Sequence, residues 1–125
     1  MSCKPECSSL SMVCYYITMK IVKFHQDLVP LILDGSKTST WRLFDDKDLS
    51  LGDNFQLLEF GTTEPFANAV ITKVVEKTFA ELTDQDKLGH ESFSTEEEMY
   101  LTYSKYYNTA VGPDTKLKLI QFKLQ

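Results

Sequence analysis

Lys37, Thr40 and Arg42 fall within one run, Gly35-Ser36-Lys37-Thr38-Ser39-Thr40-Trp41-Arg42, that brings an amine, a hydroxyl and a guanidinium together on one turn and strand. An ammonium can serve as a base only where its proton is easy to lose, which takes burial or a neighbouring cation. Arg42 is permanently charged and is the cation expected to press Lys37 towards its neutral form. A neutral Lys37 could then take the proton of the Thr40 hydroxyl, or of a water held by it, for attack on an acyl carbon. Arg42 would also clamp the substrate, and Gly35, Ser36 and Thr38 are further candidates for contacting it. A plainer reading stands beside this one. Lys37 and Arg42 could be solvated cations paired with Asp45 or Asp46, which adds little stability, and Thr40 could simply be a β-branched strand former.

The elements that must position these groups are legible on either side. Leu28 to Asp34 is an apolar stretch that fits a short helix, with Pro30 tolerable only in its first turn and Gly35 suited to end it. Thr38 to Leu43 then reads as a strand, with Thr38, Thr40 and Arg42 on one face and Ser39, Trp41 and Leu43 on the other. Trp41 is accordingly expected in the core rather than in the site. Upstream, Met19 to Phe24 is a first strand. Downstream, a polar loop over 45–53 leads to a buried strand from Asn54 to Phe60. A long strand follows from Phe66 to Lys77, expected to curve as barrel closure requires.

Phe79 to Leu82 reads as a short turn, and Thr83-Asp84 as a helix start running towards Leu88-Gly89. Ser94-x-x-Glu97 and Thr95-x-x-Glu98 each offer a capping box for a helix whose tyrosines recur at helical spacing and form its buried face. His90, next to Glu91 in the loop before that helix, could be a proton shuttle, but a lone loop histidine is expected to be exposed. In the last strand, Lys116 to Leu124, the apolar alternation changes parity after Leu119. That calls for a bulge near Leu119 or burial on both faces. Strands joined mostly by short loops, with helices between, describe an α+β domain: a small mixed β-barrel of about five to six strands with two or three helices at its mouth.

Gly35, Lys37, Thr40 and Arg42 together match the Gly-x-Lys-x-x-Thr-x-Arg hallmark of the ASCH family, and the chain resembles that branch of the PUA-like barrels. Leu51-Gly52-Asp53 before an apolar strand looks like the family's next landmark, and Lys116 to Leu124 like its closing strand, so the resemblance spans roughly 19–125. It implies a PUA-like fold. It also implies a lysine, threonine and glutamate set that removes acetyl from the exocyclic amine of acetylcytidine, with Lys37 as base, Thr40 as nucleophile or water holder and Glu91 as proton donor. Glu81 or Glu96 are the alternative carboxylates, and Glu91 also fits a surface acid before a helix. Other relatives are thought to bind RNA, so a non-catalytic RNA-binding module using the same cleft is the competing expectation.

The 125 residues make about one domain, expected to occupy 19–125 behind an N-terminal extension over 1–18 in which Met12 or Met19 could start translation. With 13 basic and 18 acidic residues the net charge is −5, and neither half of the chain is basic. An acidic domain lacks the general attraction to a nucleic-acid backbone, which favours a small nucleoside or nucleotide over a long RNA. Cys3, Cys7 and Cys14 all fall in the first fourteen residues, and an odd count fits a reducing cytosol and a cytoplasmic protein. No apolar run reaches the ~20 residues of a membrane span. No metal or other cofactor is expected, and a monomer is. On this reading Lys37→Ala abolishes release of cytidine from acetylcytidine with little change in melting temperature.

Overall fold

The structure, a computed structural model, describes residues 19–125. The expected extension over 1–18 and all three cysteines lie outside the described residues. Strand β1 (Lys20–Phe24) buries Val22 and Phe24 by simple alternation. A 3₁₀ turn (Gln26–Leu28) then runs into the short helix α1 (Val29–Leu33), whose first turn holds Pro30. Gly35 ends it with φ of +88°, a conformation that costs a residue with a Cβ about 1–2 kcal/mol. The Lys37 amide returns to the Leu31 carbonyl at 2.9 Å, so the chain turns sharply before β2 (Ser39–Arg42).

Strands β3 (Asn54–Glu59), β4 (Pro65–Thr78) and β5 (Lys116–Leu124) complete one five-stranded sheet in the order β1-β3-β4-β5-β2. Only β1 and β3 run parallel. Strand β4 is long enough to pair with β3 through its first half and β5 through its second, and the sheet curls into a half-barrel of the PUA-like α+β type. The bend has a local cause. Ile71 opposes Phe122 and Lys73 opposes Gln121, so Thr72 is an extra residue in β4. The bulge therefore sits in β4 and not near Leu119. Strand β5 meets its own parity change by burying both Leu119 and Ile120 completely.

That double burial divides the core. Ile120 and Phe122 join Phe55, Leu57 and Ile71 under Ile32 of α1 and Leu49 of the 45–53 loop, whereas Leu117 and Leu119 join Trp41 and Phe79. The second cluster is closed by Met99 and Tyr103 of α3 (Glu96–Tyr107). Neither capping box closes fully: Thr95 is the N-cap, with Glu98 N donating to Thr95 Oγ1 at 3.0 Å, but the Glu98 side chain reaches past the Thr95 amide to the residue before it. Ser94 N donates back to Glu98 Oε1 at 2.8 Å, and Asn108 ends the helix at φ of +52°. Each buried Leu, Ile or Phe contributes about 1.5–3 kcal/mol, so the sheet and α3 hold each other in place chiefly through this apolar contact.

Helix α2 (Asp84–Lys87), capped by Thr83, delivers the chain to Gly89. The Gly89 carbonyl accepts from both Thr38 N at 2.7 Å and Ser39 N at 3.1 Å, tying the segment after α2 to the start of β2. Gly89 has φ of +77°, and a Cβ there would stand 2.2 Å from Thr38 Oγ1. Gly89→Ala is therefore expected to cost about 1–2 kcal/mol, with the Thr38 side chain forced to turn away. Gly112→Ala, with nothing close to the added methyl, should leave stability near wild type. Denaturant melts of the two variants check this, and an unaffected Gly89→Ala protein would contradict the tie.

Candidate functional site

Among the described residues β1 and β2 are the edge strands of the half-barrel, and a cavity of about 290 Å³ lies between them. Lys23 and Phe24 line it from β1, Thr40 and Arg42 from β2, His90 and Glu91 from the loop after α2, and Tyr103 and Tyr106 from α3. Because β2 is an edge strand, residues of both its faces reach the opening. Thr40 and Arg42 share one face, and Trp41 of the other face still lines the wall while its body is buried in the core.

Lys37 points inward and its side chain is 2% exposed. Its Nζ donates to Glu91 Oε1 at 2.6 Å and to the Ser39 carbonyl at 2.7 Å. Burial pushes this amine below its ordinary range, and the charge and hydrogen bond of Glu91 pull it only part of the way back. Burial would raise Glu91, but the His90 ring and the Lys37 ammonium together hold its carboxyl below the ordinary range. At neutral pH the pair is ionic.

Three expectations change here. Burial, rather than Arg42, is what lowers Lys37; Arg42 faces away towards Asp45 and Asp46, each at 3.8 Å, and Asp45 is also bound by Lys118 at 2.6 Å. No hydrogen bond joins Lys37 to Thr40 among the described residues: both line the cavity, and the direct partner of Lys37 is Glu91. Third, Lys37→Ala would leave Glu91 without its cation, so a cost approaching the ~3–5 kcal/mol of a broken buried pair replaces the unchanged melting temperature.

Of the three carboxylates that could accompany Lys37, only Glu91 reaches it. Glu81 accepts from Thr78 N at 2.8 Å and caps the 3₁₀ turn Phe79–Glu81, and Glu96 is exposed at the start of α3. Gly35, Ser36 and Thr38 lie outside the cavity. Gly35 and Ser36 shape the turn that aims Lys37, with Ser36 N donating to Asp34 Oδ1 at 2.8 Å. Thr38 lines a separate depression beside Thr72 and Gly89.

His90 differs most from expectation: its side chain is 1% exposed. The ring stacks on Trp41 with centroids 3.8 Å apart and planes 15° from parallel. Its Nδ1 lies 2.9 Å from the Glu91 carbonyl and its Nε2 3.0 Å from the Tyr103 hydroxyl. A carbonyl can only accept, so the ring proton sits on Nδ1, and Tyr103 donates to a bare Nε2. Nδ1 is also 3.3 Å from Glu91 Oε1, so Tyr103, His90, Glu91 and Lys37 form one chain of contacts. Burial, reinforced by the Lys37 charge against that of Glu91, pushes His90 down from 6.5 to about 4. Neither the burial of His90 nor its bond to Tyr103 has a local sequence signal; the nearest clue is the tyrosine stripe of α3, whose members also wall the cavity. Among the described residues no cluster of His, Cys, Asp and Glu could hold a metal ion, and no helix is long and apolar enough to cross a membrane.

No protein-family model matches the sequence, and no curated protein matches it. Solved structures do match in shape. An ASCH domain from Lactobacillus crispatus superposes with a TM-score of 0.64 at 15% identity, covering 94% of this chain and 87% of that one. A protein of Enterococcus faecalis from the family DUF984 gives 0.68 at 20% identity, covering 94% and 84%. The ASCH protein of Zymomonas mobilis gives 0.60 at 12% identity, covering 85% and 67%. The chain has the ASCH-domain fold.

Burial of a neutral His90 has a consequence for stability. Above pH 6.5 the ring is neutral in both folded and unfolded chains and adds no pH dependence; between 6.5 and about 4 only the unfolded chain takes up the proton. Stability should therefore fall with pH through this window, by up to about 1.4 kcal/mol per pH unit from this group. Denaturant midpoints from about pH 7 to about pH 5 should drop less steeply for His90→Gln than for wild type. Equal slopes would mean that the ring is not held neutral.

Proposed function

We propose that this ASCH-fold chain is an amidohydrolase that removes an acyl group from the exocyclic amine of a modified nucleoside such as acetylcytidine. The observation that carries the reading is the Lys37–Glu91 pair, buried against one wall of a small cavity with the Thr40 hydroxyl on the same lining.

Burial penalises the two charges, so passage of one proton from the Lys37 ammonium to the Glu91 carboxylate, leaving a neutral amine beside a neutral acid, is less costly here than in water. The amine then accepts a proton from a water held by Thr40, or from Thr40 itself, as that oxygen bonds to the acyl carbon. The acid returns its proton to the leaving nitrogen as the carbon–nitrogen bond breaks. With water as nucleophile the products are a carboxylic acid and the free amine, and the pair is again ammonium and carboxylate. With Thr40 as nucleophile an ester forms first, and a second pass with water releases it. One ion pair thus supplies both base and acid. Arg42, at the cavity wall and turned towards Asp45 and Asp46, fits a role in holding the substrate rather than in tuning Lys37.

Wild-type protein should release cytidine from acetylcytidine, read by mass spectrometry. Lys37→Met and Glu91→Gln, which keep the volume of each side chain, should lower kcat by roughly 10²–10⁴-fold. Undiminished turnover in either variant would remove that residue from the mechanism. If wild type releases nothing yet binds RNA with a marked salt dependence, the non-catalytic RNA-binding reading takes its place.

A further inference from the structure

Six of the fourteen residues lining the cavity are Phe, Tyr or Trp, and two of them are left open to solvent: Phe60 is 63% exposed and Tyr106 is 55% exposed. Large rings exposed at the mouth of a pocket, away from any partner they stabilise, mark a binding surface more often than a core. Phe60 stacks on no other ring among the described residues. It follows β3, held by its amide to the Phe24 carbonyl at 2.9 Å. Tyr106 comes from α3, on another element, and packs edge-to-face on Tyr103 with centroids 5.8 Å apart. It lines the same cavity as Glu91 of the buried ion pair and His25 of the turn after β1.

We infer that Phe60 and Tyr106 wall a slot for the flat heteroaromatic ring that bears the scissile amide, so that the amine side of the substrate is chosen by stacking. This rests on the hydrolase reading for the word substrate, but the slot itself is a binding claim. A cavity of about 290 Å³ has room for one ring system and a short acyl group. The ring should not be anionic: Arg42 already faces Asp45 and Asp46, and the chain as a whole carries −5. Stacking tolerates many bases, so the slot selects planarity first.

Trp41 is the single tryptophan of the chain and lines the cavity, so its fluorescence reports occupancy without turnover. Glu91→Gln protein, in which hydrolysis should be too slow to interfere, is titrated with acetylcytidine and, separately, with N-ethylacetamide, the same amide on a saturated amine. Acetylcytidine should give a saturable change and N-ethylacetamide none over the same concentrations. Adding Phe60→Ala or Tyr106→Ala should weaken acetylcytidine binding by roughly ten-fold each, the size of one lost base–ring stack. Tyr106→Phe, which keeps the ring, should bind as before. Both side chains are more than half exposed, so these variants should fold, as circular dichroism will confirm. Unchanged affinity in both alanine variants, equal binding of the saturated amide, or no binding of acetylcytidine would each overturn the slot. Ring-dependent binding by a wild-type protein that never releases cytidine would keep the slot and remove the hydrolase. Cytidine release with unchanged KM in the alanine variants would do the reverse.

Discussion

The contact between Lys37 and Glu91 sets terms that the rest of the fold has to meet. Taking two charges out of water costs several kcal/mol for each ion even after the protein relaxes, and their attraction recovers this only when the geometry is close and the remaining hydrogen-bonding capacity is used. Here the separation is 2.6 Å, a second Lys37 proton goes to the Ser39 carbonyl, and His90 Nδ1 lies 3.3 Å from the same carboxylate oxygen. Apolar residues of similar volume in place of a buried ion pair are often as stable or more so. The arrangement is therefore better explained by what two ionisable groups can do beside a cavity than by what they add to folding.

Each neighbouring element can be understood by how it holds that pair. Gly35 and the Lys37 amide turn the chain so that Lys37 enters the interior in the same alternation that buries Ser39 and Trp41 of β2. The Gly89 carbonyl, bound by two β2 amides, fixes the loop carrying Glu91 to the strand next to Lys37. Trp41 and Tyr103 then clamp His90 from two directions, one by stacking and one by a hydrogen bond, and the ring carries that rigidity to Glu91. Because the sheet stops short of closing, β1 and β2 leave a seam where backbone pairing gives way to a cavity. The bulge at Thr72 and the split core under α1 and α3 set the curvature that gives the seam its width.

Much of this was legible in the sequence where chemistry and local structure coincide. The Gly35 to Arg42 run identified both the turn and three of the groups at the cavity, Lys37, Thr40 and Arg42, the last two because spacing along a strand fixes which side chains share a face. The closing strand was read to the residue from its apolar pattern. What could not be read depends on contacts between segments far apart in the chain. Glu91 meets Lys37 across 54 residues, and no local pattern separates it from Glu81 or Glu96. His90 looks like a loop histidine until Trp41 and Tyr103 are folded around it. Arg42 meets Asp45 and Asp46, as the plainer reading of the sequence had it, and what proximity in sequence could not reveal is that desolvation of Lys37 does the work expected of the guanidinium.

The central claim is that Lys37 is an amine made easier to deprotonate by burial beside Glu91, and the direct measurement is its own titration. With lysine side chains labelled at the terminal carbon, the Lys37 signal can be assigned by its loss in Lys37→Met and followed by NMR as the pH is raised. The account predicts that Lys37 gives up its proton at lower pH than the exposed lysines of the same molecule. A Lys37 signal that titrates together with them, near the ordinary value of 10.5, would contradict it.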